Sequence, residues 1–468
     1  MTAVARALAA ALTAGWLAAP AAIAAPSPIE TLTVPVFGTV TVYRPAAAPQ
    51  QVVLFISGDG GWNLGVVDMA EQLRDAGALV VGIDVRRLIA SLNASAKCGY
   101  PAGALEELSR AIQIRYKLPS YKRPILAGYS SGATLVYGAL AAAPAETFAG
   151  GLSLGFCPDL EIQKPLCQMR GLKSTRRKRG PGYDLAPFAG SKVPWMILQG
   201  EADQVCDATG TRTFVAATGA ARLLSLPKVG HGVGVPARWT PQLLDAYKTI
   251  TEAHPASEKA WVTTPAVADL PLVEVPAVVE RQDSRTLAIV LSGDGGWAEI
   301  DKSVAAGLAE RGIPVVGWSS LEYYWTPRTP ESAAADLARI IEHYTTAWHR
   351  ERVVVVGYSF GADVAPFLVN RLPAAARARV GKVALLTPSD DASFEFHLAE
   401  WLGGGANPAN PTAPEIIRLP MPVTCIVAED EADSVCREIT APSLRVVAIG
   451  QGHHFSGDYD RIVEAIVR

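Results

Sequence analysis

The sequence contains the same succession of four motifs twice, about 230 residues apart. The first occurrences fall at residues 57–62 (SGDGGW), 128–132 (GYSSG), 201–206 (EADQVC) and 230–231 (GH). The second fall at residues 292–297 (SGDGGW), 357–361 (GYSFG), 431–436 (EADSVC) and 452–453 (GH). A repeat of this length is far longer than the units of a solenoid, so it predicts two tandem homologous domains. The length of 468 residues agrees, because single cores rarely grow beyond about 250–300 residues.

We place the two copies at residues 26–251 and 269–468, joined by a linker over residues 252–268 that contains prolines. Within each copy, short apolar runs rich in β-branched residues alternate with helix-like stretches. Runs that are apolar on both faces are typical of strands in a buried parallel sheet, so each copy is predicted to be a three-layer α/β domain. The predicted strands cover residues 52–57, 79–84, 125–127, 151–154, 195–199 and 223–226, then 287–292, 314–317, 353–356, 383–386, 423–428 and 445–449.

Residues 1–24 have the pattern of a cleavable export signal. One basic residue, Arg6, precedes an apolar stretch over residues 7–19, and residues 22–24 (AIA) match the small-residue cleavage site. The apolar stretch is shorter than the roughly 20 residues that cross a membrane. We therefore expect cleavage after Ala24 and export to the periplasm, with an uncleaved membrane anchor as the alternative.

The six cysteines are expected to pair, because an oxidising compartment allows disulfides to form. Cys425 and Cys436 flank one short segment in the second half, which predicts a bridge between them. The first half contains Cys98, Cys157, Cys167 and Cys206. Four cysteines allow three connectivities. In one of them, Cys157 and Cys167 form a local bridge, which leaves Cys98 to pair with Cys206. Buried free thiols are the alternative.

Composition excludes some classes of function. No C-x-x-C motif occurs, so neither a zinc site nor a thioredoxin-like site is predicted, and we expect no metal and no cofactor. Lys and Arg number 42 against 45 Asp and Glu, a net charge of −3. This balance provides no basic field for nucleic acid.

A nucleophilic serine is the first chemical prediction. The motif G-x-S-x-G lies between a predicted buried strand and a helix in both copies, which is the context of a nucleophile elbow. Serine needs an adjacent base, and the base needs an acid that orients it. The predicted triads are Ser130, Asp203 and His231 in the first copy and Ser359, Asp433 and His453 in the second. The order Ser, Asp, His along the chain is that of α/β hydrolases, so both copies are predicted to be α/β-hydrolase-like. His454 is the rival base, and the rival acids are Glu201, Asp430 and Glu431.

The SGDGGW loops follow the first strong strand of each copy, where an α/β hydrolase places half of its oxyanion hole. The candidate donors are backbone N–H groups of these loops and the N–H that follows each nucleophile. They belong to Asp59, Gly60 and Ser131 in the first copy and to Asp294, Gly295 and Phe360 in the second. A carboxylate is unusual beside an oxyanion, so we expect it to point away or to pair with a cationic substrate group. The alternative is a phosphate-binding loop, but no G-K-[ST] follows.

Two further clusters have two interpretations each. An aromatic cluster follows the second predicted strand of the second copy and forms either ordinary core or a rim for lipid or substrate. Its members are Trp318, Tyr323, Tyr324 and Trp325. A basic run in the first copy is either a solvated loop or a contact for anionic lipid headgroups. Its members are Arg170, Lys173, Arg176, Arg177, Lys178 and Arg179.

Several motifs together resemble the AcvB/VirJ family of exported bacterial virulence-associated proteins. The matching residues are 292–297, 328–331 (RTPE) with the helix that follows, 357–363 and 452–455 (GHHF). Residues 269–468 resemble the one-domain VirJ form, and the whole chain resembles the two-domain AcvB form with its signal peptide. The resemblance implies a periplasmic hydrolase of lysyl-phosphatidylglycerol, acting at the membrane surface, and an association with type IV secretion. Ser319 stands where the family pattern has an aspartate.

An aminoacyl ester is an activated acyl group that suits Ser-His-Asp hydrolysis, and its lysyl part carries two positive charges. Asp294 and Asp363 are candidates to pair with these charges, and Trp297 is the third candidate substrate-binding residue. The first copy has Thr134 in place of Asp363, which favours the second copy as the main site. The alternatives are a different esterase or thioesterase and a non-catalytic binding factor for secretion substrates.

Overall fold

The structure is a computed structural model, and it describes residues 28–95, 97–144, 147–168, 170–253, 264–278, 285–395, 410–431 and 434–468. The predicted export signal and Asp433 lie outside the described residues. Among the described helices, none combines the length and the apolar character needed to cross a membrane.

An eight-stranded sheet organises the first half of the chain. Its strands are β1 (Ile29–Val34), β2 (Gly38–Tyr43), β3 (Gln51–Ile56), β4 (Ala78–Ile83), β5 (Ile125–Tyr129), β6 (Gly150–Leu154), β10 (Trp195–Gly200) and β11 (Ala221–Leu226). The short strands β7 (Asp159–Leu160), β8 (Ser174–Arg176) and β9 (Tyr183–Leu185) lie between β6 and β10 along the chain and belong to a separate sheet. The order across the sheet is β1-β2-β4-β3-β5-β6-β10-β11. The strands from β4 to β11 run parallel, and β2 joins them antiparallel.

Helices cover both faces of this sheet, as a buried parallel sheet requires. They are α1 (Gly65–Asp75), α2 (Val85–Ala94), α3 (Pro101–Arg115), α4 (Ser131–Ala142), α5 (Ala208–Ala216) and α6 (Thr240–Ala253). One core contains apolar side chains of α2, α3 and α4, and the core on the opposite face contains those of α1 and α6.

A seven-stranded sheet repeats this arrangement in the second half. Its strands are β12 (Leu272–Val275), β13 (Thr286–Leu291), β14 (Val315–Trp318), β15 (Arg352–Tyr358), β16 (Val380–Leu386), β17 (Val423–Val427) and β18 (Leu444–Ala448). The order β12-β14-β13-β15-β16-β17-β18 reproduces seven strands of the first sheet, including the antiparallel pairing of β12 with β14. The two halves are therefore copies in topology as well as in sequence.

The second sheet is also covered on both faces. Its helices are α7 (Glu299–Glu310), α8 (Ser320–Tyr323), α9 (Pro330–Ala347), α10 (Phe360–Arg371), α11 (Ala374–Arg377), α12 (Thr412–Ile417), α13 (Val435–Glu438) and α14 (Tyr459–Val467). Side chains of α9 and α10 form the core on one face, and those of α7 and α14 form the core on the other. The predicted three-layer α/β fold is confirmed, and every predicted strand overlaps an observed one.

Three disulfides link the six cysteines. The bridge between Cys425 and Cys436 is confirmed, with Cα atoms 6.4 Å apart. The local pairing of the middle two cysteines of the first half is wrong. Cys98 bonds to Cys167, and Cys157 bonds to Cys206, each with Cα atoms 4.9 Å apart. Sequence separation misled here, because the partners lie 69 and 49 residues apart along the chain and are brought together only by the fold.

A small antiparallel sheet, with strand order β7-β9-β8, follows β6 at the carboxyl edge of the first large sheet. The predicted basic run contributes β8 and the turn after it. Arg177 pairs with Asp159 at 2.8 Å, whereas Lys178 and Arg179 at the turn are exposed. The basic run thus forms a hairpin with a positively charged tip.

Candidate active site

The two nucleophile candidates occupy the same strained turn. Ser130 follows β5 directly and precedes α4, with φ 54° and ψ −122°. Ser359 follows β15 and precedes α10, with φ 51° and ψ −121°. Positive φ is rare for a residue with a side chain, and this strand-to-helix turn is the nucleophile elbow of α/β hydrolases. The predicted elbows are present in both copies.

The glycines of the motif are required by backbone packing. A Cβ on Gly128 would lie 2.3 Å from the carbonyl oxygen of Gly132, and a Cβ on Gly132 would lie 2.3 Å from that of Ile56. In the second copy, a Cβ on Gly361 would lie 2.3 Å from the carbonyl oxygen of Leu291. The elbow helix therefore starts in direct contact with the end of the neighbouring strand, a position that excludes any side chain.

The first copy has an unbroken chain of contacts from serine to acid. His231 Nε2 lies 3.0 Å from Ser130 Oγ, and His231 Nδ1 lies 2.9 Å from Asp203 Oδ2. The Asp203 side chain is 1% exposed. Its Oδ1 accepts hydrogen bonds from the backbone N–H groups of Val205 and Cys206, and its Oδ2 accepts one from Gln199. These donors fix the carboxylate, which in turn fixes the imidazole ring.

The second copy repeats the contact between serine and histidine. His453 Nε2 lies 2.9 Å from Ser359 Oγ. The predicted acid, Asp433, lies outside the described residues. The Glu431 carboxylate is 3.9 Å from His453 Nδ1, which is too far for a hydrogen bond. The imidazole of His453 is also more open to solvent than that of His231, at 48% against 17% exposed.

The rival residues have other partners. Glu201 accepts a hydrogen bond from Ser225, and Asp430 accepts one from the backbone N–H of Gly452. His454 lies beside the hydroxyl of Tyr358, and burial lowers its pKa. Of the two candidate bases, His453 is thus the one that lies within hydrogen-bond distance of Ser359 Oγ.

Sequence reasoning missed the tyrosine of each G-Y-S motif. The hydroxyl of Tyr129 donates a hydrogen bond to the backbone carbonyl of His231 at 2.6 Å, and Tyr358 does the same to His453 at 3.2 Å. The elbow thus holds the histidine loop directly. The recurrence of this tyrosine in both copies was the available signal.

A cysteine anchors the loop that carries the acid. Cys206 lies three residues after Asp203, and its disulfide to Cys157 ties this loop to the segment after β6. Cys436 occupies the matching position in the second copy, but its partner is Cys425 on β17. Both copies therefore anchor the acid loop covalently, each through a different strand.

The serines that open the SGDGGW motifs fix the predicted oxyanion loops. Ser57 Oγ accepts a hydrogen bond from Val85 N–H and donates one to the carbonyl oxygen of Gly58. Ser292 Oγ accepts one from Ser320 N–H and donates to the carbonyl oxygen of Gly293. Each loop is thereby tied to the segment after the next strand.

The remaining oxyanion candidates are placed as follows. Asp59 and Gly60 are exposed at the carboxyl edge of the first sheet. Ser131 and Phe360 are the first residues of α4 and α10, directly after the two nucleophile candidates. Gly295 lies in the loop of the second copy, beside the Glu106 carboxylate. The oxyanion role of all these residues remains a prediction.

The carboxylate of the second oxyanion loop has a partner from the first copy. Asp294 Oδ2 lies 2.7 Å from Nη1 of Arg110, which is on α3. The Arg110 side chain is only 11% exposed. This ion pair neutralises the charge that made an aspartate unexpected beside an oxyanion.

Asp363 has an internal partner. Its Oδ1 accepts a hydrogen bond from the backbone N–H of Ser389 at 2.6 Å, and burial raises its pKa to about 7. Its counterpart Thr134 donates to the carbonyl oxygen of Cys157, at the matching point of the first copy. Both side chains thus tie the elbow helix to the loop after the next strand. This geometry favours a structural role for Asp363 over the predicted contact with substrate.

The predicted aromatic groups are mostly core. Trp297 is 4% exposed and covers Gly317, where a Cβ would lie 2.4 Å from its ring; Trp62 covers Gly82 in the same way. Trp318, Tyr323 and Tyr324 are at most 2% exposed. Trp325 donates a hydrogen bond to the carbonyl oxygen of Leu118, in the first copy. The cluster therefore packs in the core and against the other copy, so a rim for lipid is not what these residues build.

One group of described side chains has the spacing of a metal site: Asp203, Cys206 and His231. The sulfur of Cys206 is bonded to Cys157, and His231 contacts Asp203 through one ring nitrogen and Ser130 through the other. Their arrangement fits proton transfer better than metal ligation, because a disulfide sulfur is not a thiolate ligand.

Strand order and elbow geometry define the class: a protein of two tandem α/β domains, each with the topology and the strand-to-helix serine turn of an α/β hydrolase. Within this class, the chain belongs to the VirJ family, because the model of the family described as bacterial virulence protein (VirJ) matches residues 50–149 and 285–468. These segments make up more than half of the chain and lie in both copies. The expected family is confirmed.

Solved structures each resemble about half of the chain. An α/β serine hydrolase without a lid from Xanthomonas campestris is 21% identical and covers 49% of this chain and 95% of its own, with a TM-score of 0.31. The esterase domain of a Rhodothermus marinus protein is 14% identical, with coverages of 48% and 97% and a TM-score of 0.33. Est1E from Butyrivibrio proteoclasticus is 13% identical, with coverages of 48% and 100% and a TM-score of 0.33. A search of the curated proteins finds no match.

Proposed function

We propose that the chain is a serine ester hydrolase. The observation that carries the proposal is the chain of contacts from Ser130 through His231 to the buried Asp203, of which Ser359 and His453 repeat the first step. Serine alone is a poor nucleophile, and an imidazole within hydrogen-bond reach removes its proton as attack proceeds.

The reaction follows from this geometry. Ser130 Oγ attacks the ester carbonyl carbon while His231 Nε2 takes the hydroxyl proton, and Asp203 stabilises the resulting imidazolium. Collapse of the tetrahedral intermediate expels the alcohol, which takes the proton from His231, and leaves an acyl group on Ser130. Water then attacks the acyl-enzyme with the same histidine as base, which releases the acid and restores the serine. Ser359 and His453 perform the same steps in the second copy, with Asp433 as the proposed acid.

The proposed substrate is lysyl-phosphatidylglycerol, cleaved to lysine and phosphatidylglycerol. The resemblance of the sequence motifs to the AcvB/VirJ family supports this substrate, and an aminoacyl ester is reactive enough for this machinery. The positively charged hairpin tip, with Lys178 and Arg179, provides a contact for the anionic lipid surface in which the substrate lies.

The proposed location is the periplasm. Three disulfides among the described residues are typical of proteins from oxidising compartments. The export pattern of residues 1–24 supports the same location. A periplasmic enzyme would meet aminoacylated lipid at the membrane surface without crossing the membrane.

The test uses the purified full chain, with its disulfides formed, and vesicles that contain radiolabelled lysyl-phosphatidylglycerol. We expect release of free lysine, labelling of the protein by a fluorophosphonate, and loss of both in the double variant Ser130→Ala/Ser359→Ala. The single variants assign the activity to one copy or to both. Vesicle binding without lysine release would instead favour a non-catalytic binding factor, and turnover of simple esters or thioesters alone would favour a different esterase.

A further inference from the structure

A cavity of about 1090 Å³ lies between the two copies and is lined by His453, the histidine that contacts the second nucleophile. The second copy lines it with the oxyanion loop around Asp294, with Tyr358 and with His453, the base that contacts Ser359. The first copy closes it with residues of α3 and the segments around it. The base of the second candidate site therefore faces a chamber whose opposite wall belongs to the first copy.

The chamber has an excess of negative charge. Five carboxylates and three arginines line it, a formal net charge of −2. The charge of Asp294 is already balanced by Arg110, so this carboxylate is not available as the main partner of a cation. The partly buried His454 of the wall does not offset the excess, since desolvation lowers its pKa and favours the neutral ring.

Glu106, one turn before Arg110 on α3, is the carboxylate best placed to meet a ligand. Its Oε1 stands 3.7 Å from the position of a Cβ on Gly295, so it reaches across the chamber to the oxyanion loop. Burial raises the pKa of Glu106, and the nearby Arg110 opposes this rise. The charged form of a carboxylate in this setting is stabilised most when a cationic group enters the chamber and pairs with it.

We infer that the first copy completes the active site of the second, and that Glu106 is the residue through which this site selects esters with a cationic acyl group. The inference rests on the proposed function, because it assumes that Ser359 attacks an ester. The acyl carbonyl lies at Ser359, and the side-chain ammonium reaches Glu106 on α3.

The experiment compares two p-nitrophenyl esters that differ only in the terminal ammonium group, those of lysine and norleucine. It is carried out in the Ser130→Ala background, so that turnover reports Ser359. We expect kcat/KM to favour the lysyl ester by about 10-fold or more, since a desolvated charge pair distinguishes ligands by at least this factor. Glu106→Gln should remove most of that preference by lowering kcat/KM of the lysyl ester, and Glu106→Asp should restore part of it.

The controls separate the possible failures. In the Ser359→Ala background, Glu106→Gln should leave turnover by Ser130 unchanged, which shows that the variant is folded. An unchanged lysyl-to-norleucyl ratio in Glu106→Gln, or a parallel loss on both esters, overturns the selection by Glu106. Absence of turnover of either ester in the Ser130→Ala background overturns the hydrolytic role of Ser359 itself.

Discussion

The buried carboxyl group of Asp363 makes a testable contribution to stability. Its side chain lies at the start of α10, is 7% exposed, and has a pKa raised from 3.8 to about 7, chiefly because burial penalises the charged form. The folded state therefore holds a proton between about pH 4 and pH 7 that the unfolded chain has released. Because the native state binds more protons in this window, the free energy of unfolding falls as pH rises through it.

The size of this effect on the free energy of unfolding follows from the same two pKa values. A pKa rise from 3.8 to about 7 corresponds to a penalty on the order of 4 kcal/mol once the group is charged in both states. Asp363→Asn keeps the shape and keeps an oxygen that can accept the hydrogen bond from Ser389, but it cannot ionise. We expect the variant to gain stability relative to the parent as pH rises from 4 to 8, by several degrees in the Tm of the second copy.

Scanning calorimetry between pH 4 and pH 9 measures this difference directly. Asp390→Asn is the matched control, because Asp390 is an exposed carboxylate that interacts with Asp363, and exposed charges contribute little. A Tm difference for Asp363→Asn that does not change with pH would refute the linkage argument. The same variant should leave the preference for lysyl over norleucyl esters unchanged, and a 10-fold loss would restore Asp363 as a contact for substrate.

Three further predictions concern the first copy and its surface. Asp203→Asn should lower kcat of the Ser130 site by several orders of magnitude, because the amide favours the wrong imidazole tautomer. This is measured in the Ser359→Ala background, and a loss below 10-fold would contradict the role of the acid. Tyr129→Phe should lower kcat with little change in KM, because the tyrosine hydroxyl positions the loop that carries His231 and does not touch substrate. A rise in KM alone would argue against this positioning role. Lys178→Glu/Arg179→Glu should weaken sedimentation with vesicles of anionic lipid while hydrolysis of soluble esters is retained, and unchanged sedimentation would remove the hairpin tip from the membrane contact.

The central strands, the three-layer α/β class and the elbow were predictable from the sequence, because their signals are local. The five central strands of the first sheet are short apolar runs, and the G-x-S-x-G spacing follows from contacts with the adjacent strand. The antiparallel edge strands β1, β2 and β12 were not predicted. The burial pattern of β1 alternates between exposed and partly buried residues, and such a strand lacks the continuous apolar run by which the central strands were recognised.

The contacts between distant parts of the chain were not predictable from one sequence. Arg110 and Asp294 are 184 residues apart, and no local pattern links a helix of the first copy to a loop of the second. The disulfide partners of the first half are separated in the same way. Asp363 was interpreted by its distance from the nucleophile along a helix, whereas its surroundings depend on the loop after β16.

The ion pair between Arg110 and Asp294 makes the two copies thermodynamically dependent on each other. If the linker were cut and the halves separated, Arg110 would return to water at little cost, whereas Asp294 would stand unbalanced beside the oxyanion loop of the second copy. In the isolated second half, the negative charge of Asp294 would be screened only by solvent, which would change the electrostatic field at the proposed oxyanion loop. In the full chain, one copy thus supplies part of the electrostatic environment at a loop of the other.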